Sequence, residues 1–243
     1  MKTIRNFRLL TKIGSRLGFT RSDRIREGTF PDFWNELVWF EDSTQQELEV
    51  IFGEAHHKNS FRRRLLTDLC QELNKHFPNG DTMEIGVYHG LGSLIIMKNF
   101  PGRKHYLVDS FEGLSEPNPL DGDKWRQGDM SVALEIVQKR LVDFAGRASY
   151  IQALLPEQLD KLPSVPLILV HIDVDLYLPT AASTKYAWAN LVPGGVILFD
   201  DYGFTTCPGA TLAVEEFIRD LEIDSYFALP VATGGLLLMK SKK

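Results

Sequence analysis

The chain has 243 residues, of which 44% are hydrophobic and 24% are charged, so it can bury one large core. Its net charge of −5 gives no general attraction for nucleic acid or an anionic membrane, and nucleic acid is not expected as a partner. The cysteines, Cys70 and Cys207, show no metal-binding or redox spacing, as is typical of a reducing compartment. No stretch is apolar enough for a transmembrane span or a secretory signal. We therefore expect one catalytic domain in a soluble, cytoplasmic protein.

The first 78 residues are predicted to form a helical extension and cap. Residues 1–27 carry eight Lys or Arg and two acids, and their apolar residues have helical spacing. This segment is expected to pack on its own domain or on a second subunit in a homo-oligomer, with a membrane-surface role as the alternative. Residues 30–58 are rich in aromatic and acidic residues and suggest a cap or lid. Residues 60–77 predict a further helix, which Pro78-Asn79-Gly80 ends.

Residues 79–243 are predicted to form the main domain, in which strands alternate with helices. The five strand-like runs are 82–85, 105–108, 149–151, 167–172 and 195–199. Such alternation predicts a parallel sheet with helices on both faces, and the nearly continuous apolar character of 167–172 indicates a strand buried on both faces. Two more strands, 225–229 and 236–239, are separated by a turn at 232–235 and predict an antiparallel C-terminal edge. The whole is a mostly parallel seven-stranded α/β sheet.

A glycine loop follows the first strand. Gly86, Gly90 and Gly92 precede a helical run, at a place where the backbone can approach a ligand closely. We expect a side chain at position 90 to block that ligand. Asp109 closes the next strand, where an acid can accept hydrogen bonds from ribose hydroxyls. The alternative is that the glycines serve only the turn.

The residues around the loop favour one class of nucleotide. A dinucleotide site would have a third glycine at position 95, which is Ile95. Glu84, just before the loop, would repel a pyrophosphate and could instead hold an ammonium group or orient the loop. The pattern therefore favours an adenosine ligand with a cationic amino-acid tail.

Four aspartates follow the two central strands. Asp173 and Asp175 come after 167–172, and Asp200 and Asp201 come after the next strand, so all can meet at one edge of the sheet. Carboxylates held together repel, which raises a pKa unless a cation is bound. All-oxygen ligands favour Mg²⁺, Ca²⁺ or Mn²⁺ over Zn²⁺. We predict Asp173, Asp200 and Asp201 as metal ligands. Helix capping or turn formation is the structural alternative, and for Asp175 both interpretations stay open.

Several segments together resemble the macrocin-type O-methyltransferase family. They are 84–93, Asp-Ser-Phe-Glu-Gly-Leu within 108–114, Ile-Asp-Val-Asp-Leu-Tyr within 171–180, Asp-Asp-Tyr-Gly within 193–203, and Gly209-Ala210 before a helix. The resemblance implies a Rossmann-like class I methyltransferase fold, S-adenosylmethionine, a Mg²⁺ ion and methylation of a sugar hydroxyl on a small molecule. By position, it places the metal on Asp173, Asp200 and Asp201, and the cofactor on the loop at Gly86 and on Asp109.

The candidate site residues form three groups. The predicted cofactor contacts are Glu84, Gly86, Gly90, Gly92, Ser93, Asp109, Ser110 and Gln152. The candidate catalytic residues are Asp173, Asp175 and His89, and His171 is a further candidate base, although a histidine inside an apolar strand is more often structural. The predicted metal ligands are the three aspartates named above.

Two other functions are compatible with parts of the pattern. Asp173-Val174-Asp175 is an Asp-x-Asp motif, which a metal-dependent glycosyltransferase could use to hold a nucleotide-sugar diphosphate through a cation. Glu84 beside the glycine loop argues against it. A methyltransferase-like fold could also serve only as a binding module, but the presence of Asp109 together with the metal carboxylates argues against that.

Overall fold

The computed structural model describes residues 60–231 and 234–242. The predicted amphipathic helix within 1–27 and the predicted cap over 30–58 lie outside the described residues. So do residues 232 and 233, the first two of the predicted turn at 232–235.

A seven-stranded sheet forms the centre of the fold, in the order β3-β2-β1-β4-β5-β7-β6. Its strands are β1 (Asp81–Ile85), β2 (His105–Asp109), β3 (Ala148–Gln152), β4 (Leu167–Ile172), β5 (Leu191–Phe199), β6 (Tyr226–Pro230) and β7 (Leu236–Lys240). Strands β1 to β5 pair in parallel, whereas β7 runs antiparallel to both β5 and β6. The predicted mostly parallel sheet with an antiparallel C-terminal edge is confirmed.

Helices cover both faces of the sheet. Those of the described chain are α1 (Ser60–His76), α2 (Leu91–Asn99), α3 (Leu134–Arg140), α4 (Tyr177–Asn190) and α5 (Pro208–Arg219). Helices α1 and α2 pack on one face, while α4 and α5 pack on the other. All six residues of β4 are buried, which explains why its sequence is apolar almost throughout. No helix among these residues is both long and apolar enough to cross a membrane.

The order of strands creates a crevice above β1 and β4. From β1 the chain first builds β2 and β3 on one side, and then crosses to build β4 and β5 on the other. In open α/β sheets, ligands bind at such a switch point, outside the carboxyl ends of the strands. Ile85 of β1, Asp109 of β2 and Ile172 of β4 all end at this edge, so the residues that follow them lie close together.

Helix α1 is packed into the core although it precedes the predicted domain boundary at residue 78. Leu66, Cys70 and Leu73 are buried against α2 and against the β4 and β5 face of the sheet. This contact fixes the start of α1 beside the carboxyl end of β5, where Arg62 reaches Asp200. The division into residues 1–78 and 79–243 stays a prediction.

The packing of α1 predicts a measurable contribution to stability. Leu66 is 4% exposed, so Leu66→Ala should lower the free energy of unfolding by about 2–5 kcal/mol, because it removes buried methyl groups and leaves a cavity. Gln71→Ala, on the exposed side of the same helix, should change it by less than about 0.5 kcal/mol. Urea denaturation measures both values. Equal stability of the two variants would contradict the docking of α1.

Candidate active site

A cleft opens at the switch point and encloses about 690 Å³, a volume that includes the open solvent at its mouth. Its lining includes Gly86, Asp109, Ser110, Asp173 and Asp175, all of which are predicted site residues. Three of these five are aspartates, and no Lys or Arg is among the described residues that line the cleft. The formal charges of the lining are therefore all negative, which suits a cationic group and disfavours phosphate.

Neighbouring protein atoms restrict a side chain at each glycine of the loop, most strongly at Gly86 and Gly92. A Cβ at Gly86 would lie 1.7 Å from the main-chain oxygen of Asp173, so only glycine lets the loops after β1 and β4 touch. A Cβ at Gly92 would lie 1.9 Å from Glu84 Oε1. At Gly90 it would face Val137 and Leu141. A Cβ at position 90 would therefore point towards the packing against α3, and the expectation that a side chain there blocks the ligand stays a prediction.

Asp109 joins the glycine loop to the loop that follows β2. Its Oδ2 accepts hydrogen bonds from the backbone N–H groups of Val87 (2.7 Å) and Tyr88 (3.0 Å), while its Oδ1 accepts one from Phe111 (2.8 Å). A carboxylate has about four acceptor positions, so three bonds leave room for one more. Because Asp109 also lines the cleft, it can hold both loops and still accept a hydroxyl of a bound ribose.

Glu84 and Ser93 lie behind the glycine loop in a buried chain of hydrogen bonds. The Ser93 hydroxyl donates to Glu84 Oε2, and the Nδ1 atom of His171 lies 2.8 Å from Glu84 Oε1. On the other side, Ser93 Oγ lies 3.0 Å from Nε2 of His105. Glu84 is 2% exposed and Ser93 is 0% exposed. They orient the loop from below, which is one of the two roles expected of Glu84.

The three predicted metal ligands converge. One carboxylate oxygen each from Asp173, Asp200 and Asp201 lies within 4.8 Å of the others. Burial and the neighbouring carboxylates raise the pKa of Asp173 well above its usual value, and the same causes raise the pKa of Asp201 to about 6. Three oxygen donors at this spacing, whose charges repel one another, match what a hard divalent cation requires.

Asp200 differs from the other two because two cations flank it. Burial acts to raise its pKa, but Arg62 and His171 lower it below the usual range. Arg62 Nη1 lies 2.6 Å from Asp200 Oδ2, and His171 Nε2 lies 3.8 Å from Asp200 Oδ1, which is an ion-pair distance and too long for a hydrogen bond. Burial alone would lower the pKa of His171, but Asp200 and Glu84 raise it well above 6.5. This raised pKa favours the protonated form of His171, which makes the residue less suited to act as a base.

Asp175 lies beside this cluster and on the cleft. Its backbone N–H donates to Asp201 Oδ2 over 2.8 Å, and the Cys207 thiol, 3.3 Å away, donates to its Oδ1. Burial and Asp201 raise the pKa of Asp175 well above its usual value. The residue has a positive φ of 59°, and its side chain does not cap α4, since Leu176 occupies that cap without a side-chain hydrogen bond. Asp175, Asp201 and Cys207 also have ligand atoms within 4.8 Å of one another.

Strained backbone is concentrated at the cleft. Four described residues other than glycine have positive φ, and three of them, Tyr88, Met130 and Asp175, line the cleft. Such conformations cost about 1–3 kcal/mol each and persist only where the surroundings impose them. Their concentration here is typical of a functional site.

Eight predicted site residues lie outside the cleft lining, namely Glu84, His89, Gly90, Gly92, Ser93, Gln152, Asp200 and Asp201. His89 is on the glycine loop, with its Nδ1 atom 2.5 Å from Arg140, and burial together with the Arg140 charge lowers its pKa. Gln152 is exposed at the end of β3, where its amide donates to the Ser110 carbonyl over 3.0 Å. Gln152 therefore supports the wall formed by Ser110.

Several residues that shape the site carry no sequence signal. Arg62 lies within three consecutive arginines on α1, and Cys207 is an isolated cysteine before α5. Asp121 is 2% exposed and accepts the backbone N–H groups of Tyr177 (2.6 Å) and Asn118 (2.9 Å). It thereby ties the loop after β2, which forms one wall of the cleft, to the first turn of α4. Only the fold brings these side chains to the site.

A profile of the macrocin O-methyltransferase family matches residues 58–228. The chain belongs to the macrocin O-methyltransferase family. The match covers the cleft, all the predicted site residues and the whole of α1, and the predicted family is confirmed.

Individual proteins give the same picture at lower similarity. One relative is the 8-demethyl-8-(2,3-dimethoxy-alpha-L-rhamnosyl)-tetracenomycin-C 4'-O-methyltransferase of Streptomyces olivaceus, to which the chain is 29% identical over 147 residues. The aligned residues make up 54% of this chain and 56% of that protein. The chain thus spans about half the length of this relative. Among solved structures, the O-methyltransferase NovP matches with a TM-score of 0.62 and 20% identity, over 74% of this chain and 80% of that one. The O-methyltransferase TomG of Streptomyces achromogenes, solved in complex with SAM, matches with a TM-score of 0.57 and 16% identity, over 90% of this chain and 99% of that chain. At these identities the structures establish the fold.

The buried chain beneath the loop predicts a pH dependence of stability. His105 is fully buried, and burial, with the charges of Arg147 and His171, lowers its pKa to about 3 from 6.5. At His105 the folded protein then binds fewer protons than the unfolded chain. The contribution of His105 to the free energy of unfolding is therefore fully present above pH 6.5 and falls as the pH drops towards 3, by up to about 1.4 kcal/mol per pH unit.

His105→Gln, which keeps an amide for its two partners, isolates this contribution. Urea denaturation between pH 7 and pH 4 should show wild type losing its advantage over the variant as the pH falls. Parallel stability curves for the two proteins would contradict the buried neutral His105.

Proposed function

We propose that this protein is an S-adenosylmethionine- and Mg²⁺-dependent O-methyltransferase that acts on a hydroxyl of a sugar or a glycosylated small molecule. The observation that carries the proposal is the acidic cleft at the switch point, with Asp109 beneath it and a carboxylate cluster at one end. Family membership supports the same chemistry.

The charge of the cleft favours a cationic nucleotide. S-adenosylmethionine carries a sulfonium and an ammonium group. The cleft lining includes Asp109, Asp173 and Asp175, and it contains no Lys or Arg among the residues that the structure describes. A nucleotide-sugar diphosphate would meet repulsion in the same place, which disfavours the glycosyltransferase. Leu154 and Leu155 add apolar surface for an adenine ring.

Asp173, Asp200 and Asp201 would hold the metal. A Mg²⁺ ion there supplies Lewis acidity, which lowers the pKa of an acceptor hydroxyl and fixes its approach to the methyl group. The protein keeps the three carboxylates in place: Asp173 through the close contact of its main chain with Gly86, Asp200 between Arg62 and His171, and Asp201 through the Asp175 backbone.

Asp175 is the candidate general base that the geometry favours. It lines the cleft, whereas His171 is buried with a raised pKa that favours its protonated form, and neither His171 nor His89 belongs to the lining. Its raised pKa makes it a stronger base than an ordinary carboxylate. In this role Asp175 accepts the acceptor hydroxyl proton as the oxygen takes the methyl group, and the sulfonium leaves as a neutral thioether.

The mouth of the cleft suits an acceptor with an apolar part. Tyr88 is 38% exposed, Met130 40% and Leu178 46%. The first two line the cleft, and Leu178 is the neighbour of Pro179, which also lines it. A glycosylated aglycone could place its sugar at the carboxylates and its apolar body on this rim. The name of the Streptomyces olivaceus relative describes such an acceptor for that protein.

Calorimetric titration tests the choice of cofactor. The purified protein should bind S-adenosylmethionine and S-adenosylhomocysteine, and should not bind UDP-glucose in the presence of Mg²⁺. Binding of UDP-glucose alone would overturn the proposal in favour of a glycosyltransferase. Binding of neither would favour a non-catalytic module.

Removing a metal ligand should separate metal binding from cofactor binding. Asp173→Asn and Asp200→Asn should each lower Mg²⁺-dependent turnover about 100-fold or more, because loss of even an outer-shell partner costs about 10–100-fold. Calorimetry should show S-adenosylhomocysteine affinity within about threefold of wild type. Asp220→Asn, which changes a carboxylate that is 78% exposed, is the matched control. Full activity of wild type in EDTA would refute the metal role.

Replacement of the base should affect chemistry alone. Asp175→Asn should lower kcat by about 10²–10⁴-fold while Mn²⁺ and S-adenosylhomocysteine affinities stay within about threefold. His89→Gln should keep kcat within about threefold. The reverse pattern, with His89 critical and Asp175 dispensable, would assign the base to the loop.

A further inference from the structure

Arg62 approaches the carboxylate cluster from outside the sheet edge. Its Nη1 atom lies 2.6 Å from Asp200 Oδ2, and its Nη2 atom donates to the main-chain oxygen of the same residue. The guanidinium carbon lies 4.4 Å from the centroid of the Phe204 ring, which holds the group from one side. The Arg62 side chain is 20% exposed, so this is a partly buried ion pair with two points of attachment.

The position of Arg62 is that of a counter-ion for the whole cluster. Asp173, Asp200 and Asp201 have ligand oxygens within 4.8 Å of one another, and a positive charge on Asp200 stabilises all three when they are ionised. His171, which approaches the other carboxylate oxygen of Asp200, lies 2.8 Å from Glu84 and farther from Asp200, at 3.8 Å. Arg62 is thus the nearer cation.

We propose that Arg62 is a resident counter-ion of the metal site, which holds Asp200 in the metal-free protein and opposes the binding of a divalent cation. This inference rests on the metal site of the proposed function. A guanidinium bound to a ligand carboxylate repels a divalent ion in the same cluster, and this repulsion outweighs any help it gives by orienting Asp200. Because Arg62 belongs to α1, the position of α1 and the occupancy of the metal site are coupled.

Mn²⁺ affinity of three variants tests the proposal. Arg62→Met keeps the length of the side chain and removes the charge, so it should lower the Kd for Mn²⁺ at least tenfold. Arg62→Lys keeps the charge and should stay within about threefold of wild type. Arg64→Met removes a charge from the same helix, where Arg64 pairs with Asp68 at 2.9 Å, and should also leave the Kd within about threefold. Electron paramagnetic resonance of free Mn²⁺ gives the Kd without turnover.

The outcomes distinguish the role of Arg62 from the existence of the metal site. Tighter Mn²⁺ binding by Arg62→Met than by Arg64→Met supports the proposal. Unchanged or weaker binding by Arg62→Met, with wild type still binding Mn²⁺, overturns the role of Arg62 and leaves the metal site intact. No Mn²⁺ binding by any of the proteins, with S-adenosylhomocysteine still bound, overturns both the role of Arg62 and the metal site.

A measurement on wild type covers the case in which Arg62→Met does not fold. If Mn²⁺ weakens the contact between Arg62 and Asp200, the amides of residues 64–68 in α1 should exchange hydrogen at least threefold faster with saturating Mn²⁺ than without it. Unchanged or slower exchange at these amides would overturn the proposal.

Discussion

Carboxylates crowded at the carboxyl ends of β4 and β5 are the constraint on which the rest of the site depends. Two unit charges about 4 Å apart repel by about 4 kcal/mol at an effective dielectric constant near 20, so Asp173, Asp200 and Asp201 need positive charge nearby. The protein supplies part of it through Arg62 and His171, and the raised pKa values of Asp173 and Asp201 indicate that this is not enough. The proposed metal would provide the rest.

The backbone makes this crowding possible. Glycine at position 86 allows the loop after β1 to touch the main chain of Asp173, and glycine at position 92 leaves space for the carboxylate of Glu84. Glu84 in turn holds the imidazole of His171 against Asp200. The glycine loop and the carboxylate cluster are therefore connected through one buried polar network.

The fold and much of the cleft were predictable because their signals are local. A parallel sheet requires strands that alternate with helices, and its buried strands are apolar almost throughout. Ligand-binding acids lie at or just after the carboxyl ends of its strands, and this position in the sequence indicated Asp109, Asp173 and Asp200. The direction of a Cβ at Gly90, towards Val137 and Leu141, could not be predicted, because it depends on how α3 packs against the loop. Arg62, Asp121 and Cys207 could not be predicted, since each acts across a distance in sequence that only the tertiary structure closes. The choice among candidate bases likewise required knowing that His171 is enclosed by two carboxylates.

The most direct test of the account is a crystal structure of the protein with Mn²⁺ and S-adenosylhomocysteine, using the anomalous signal of manganese. The account predicts one manganese peak coordinated by Asp173, Asp200 and Asp201, with the nucleoside in the adjacent cleft and its ribose on Asp109. A manganese peak elsewhere, or none in a crystal that holds S-adenosylhomocysteine in the cleft, would contradict it.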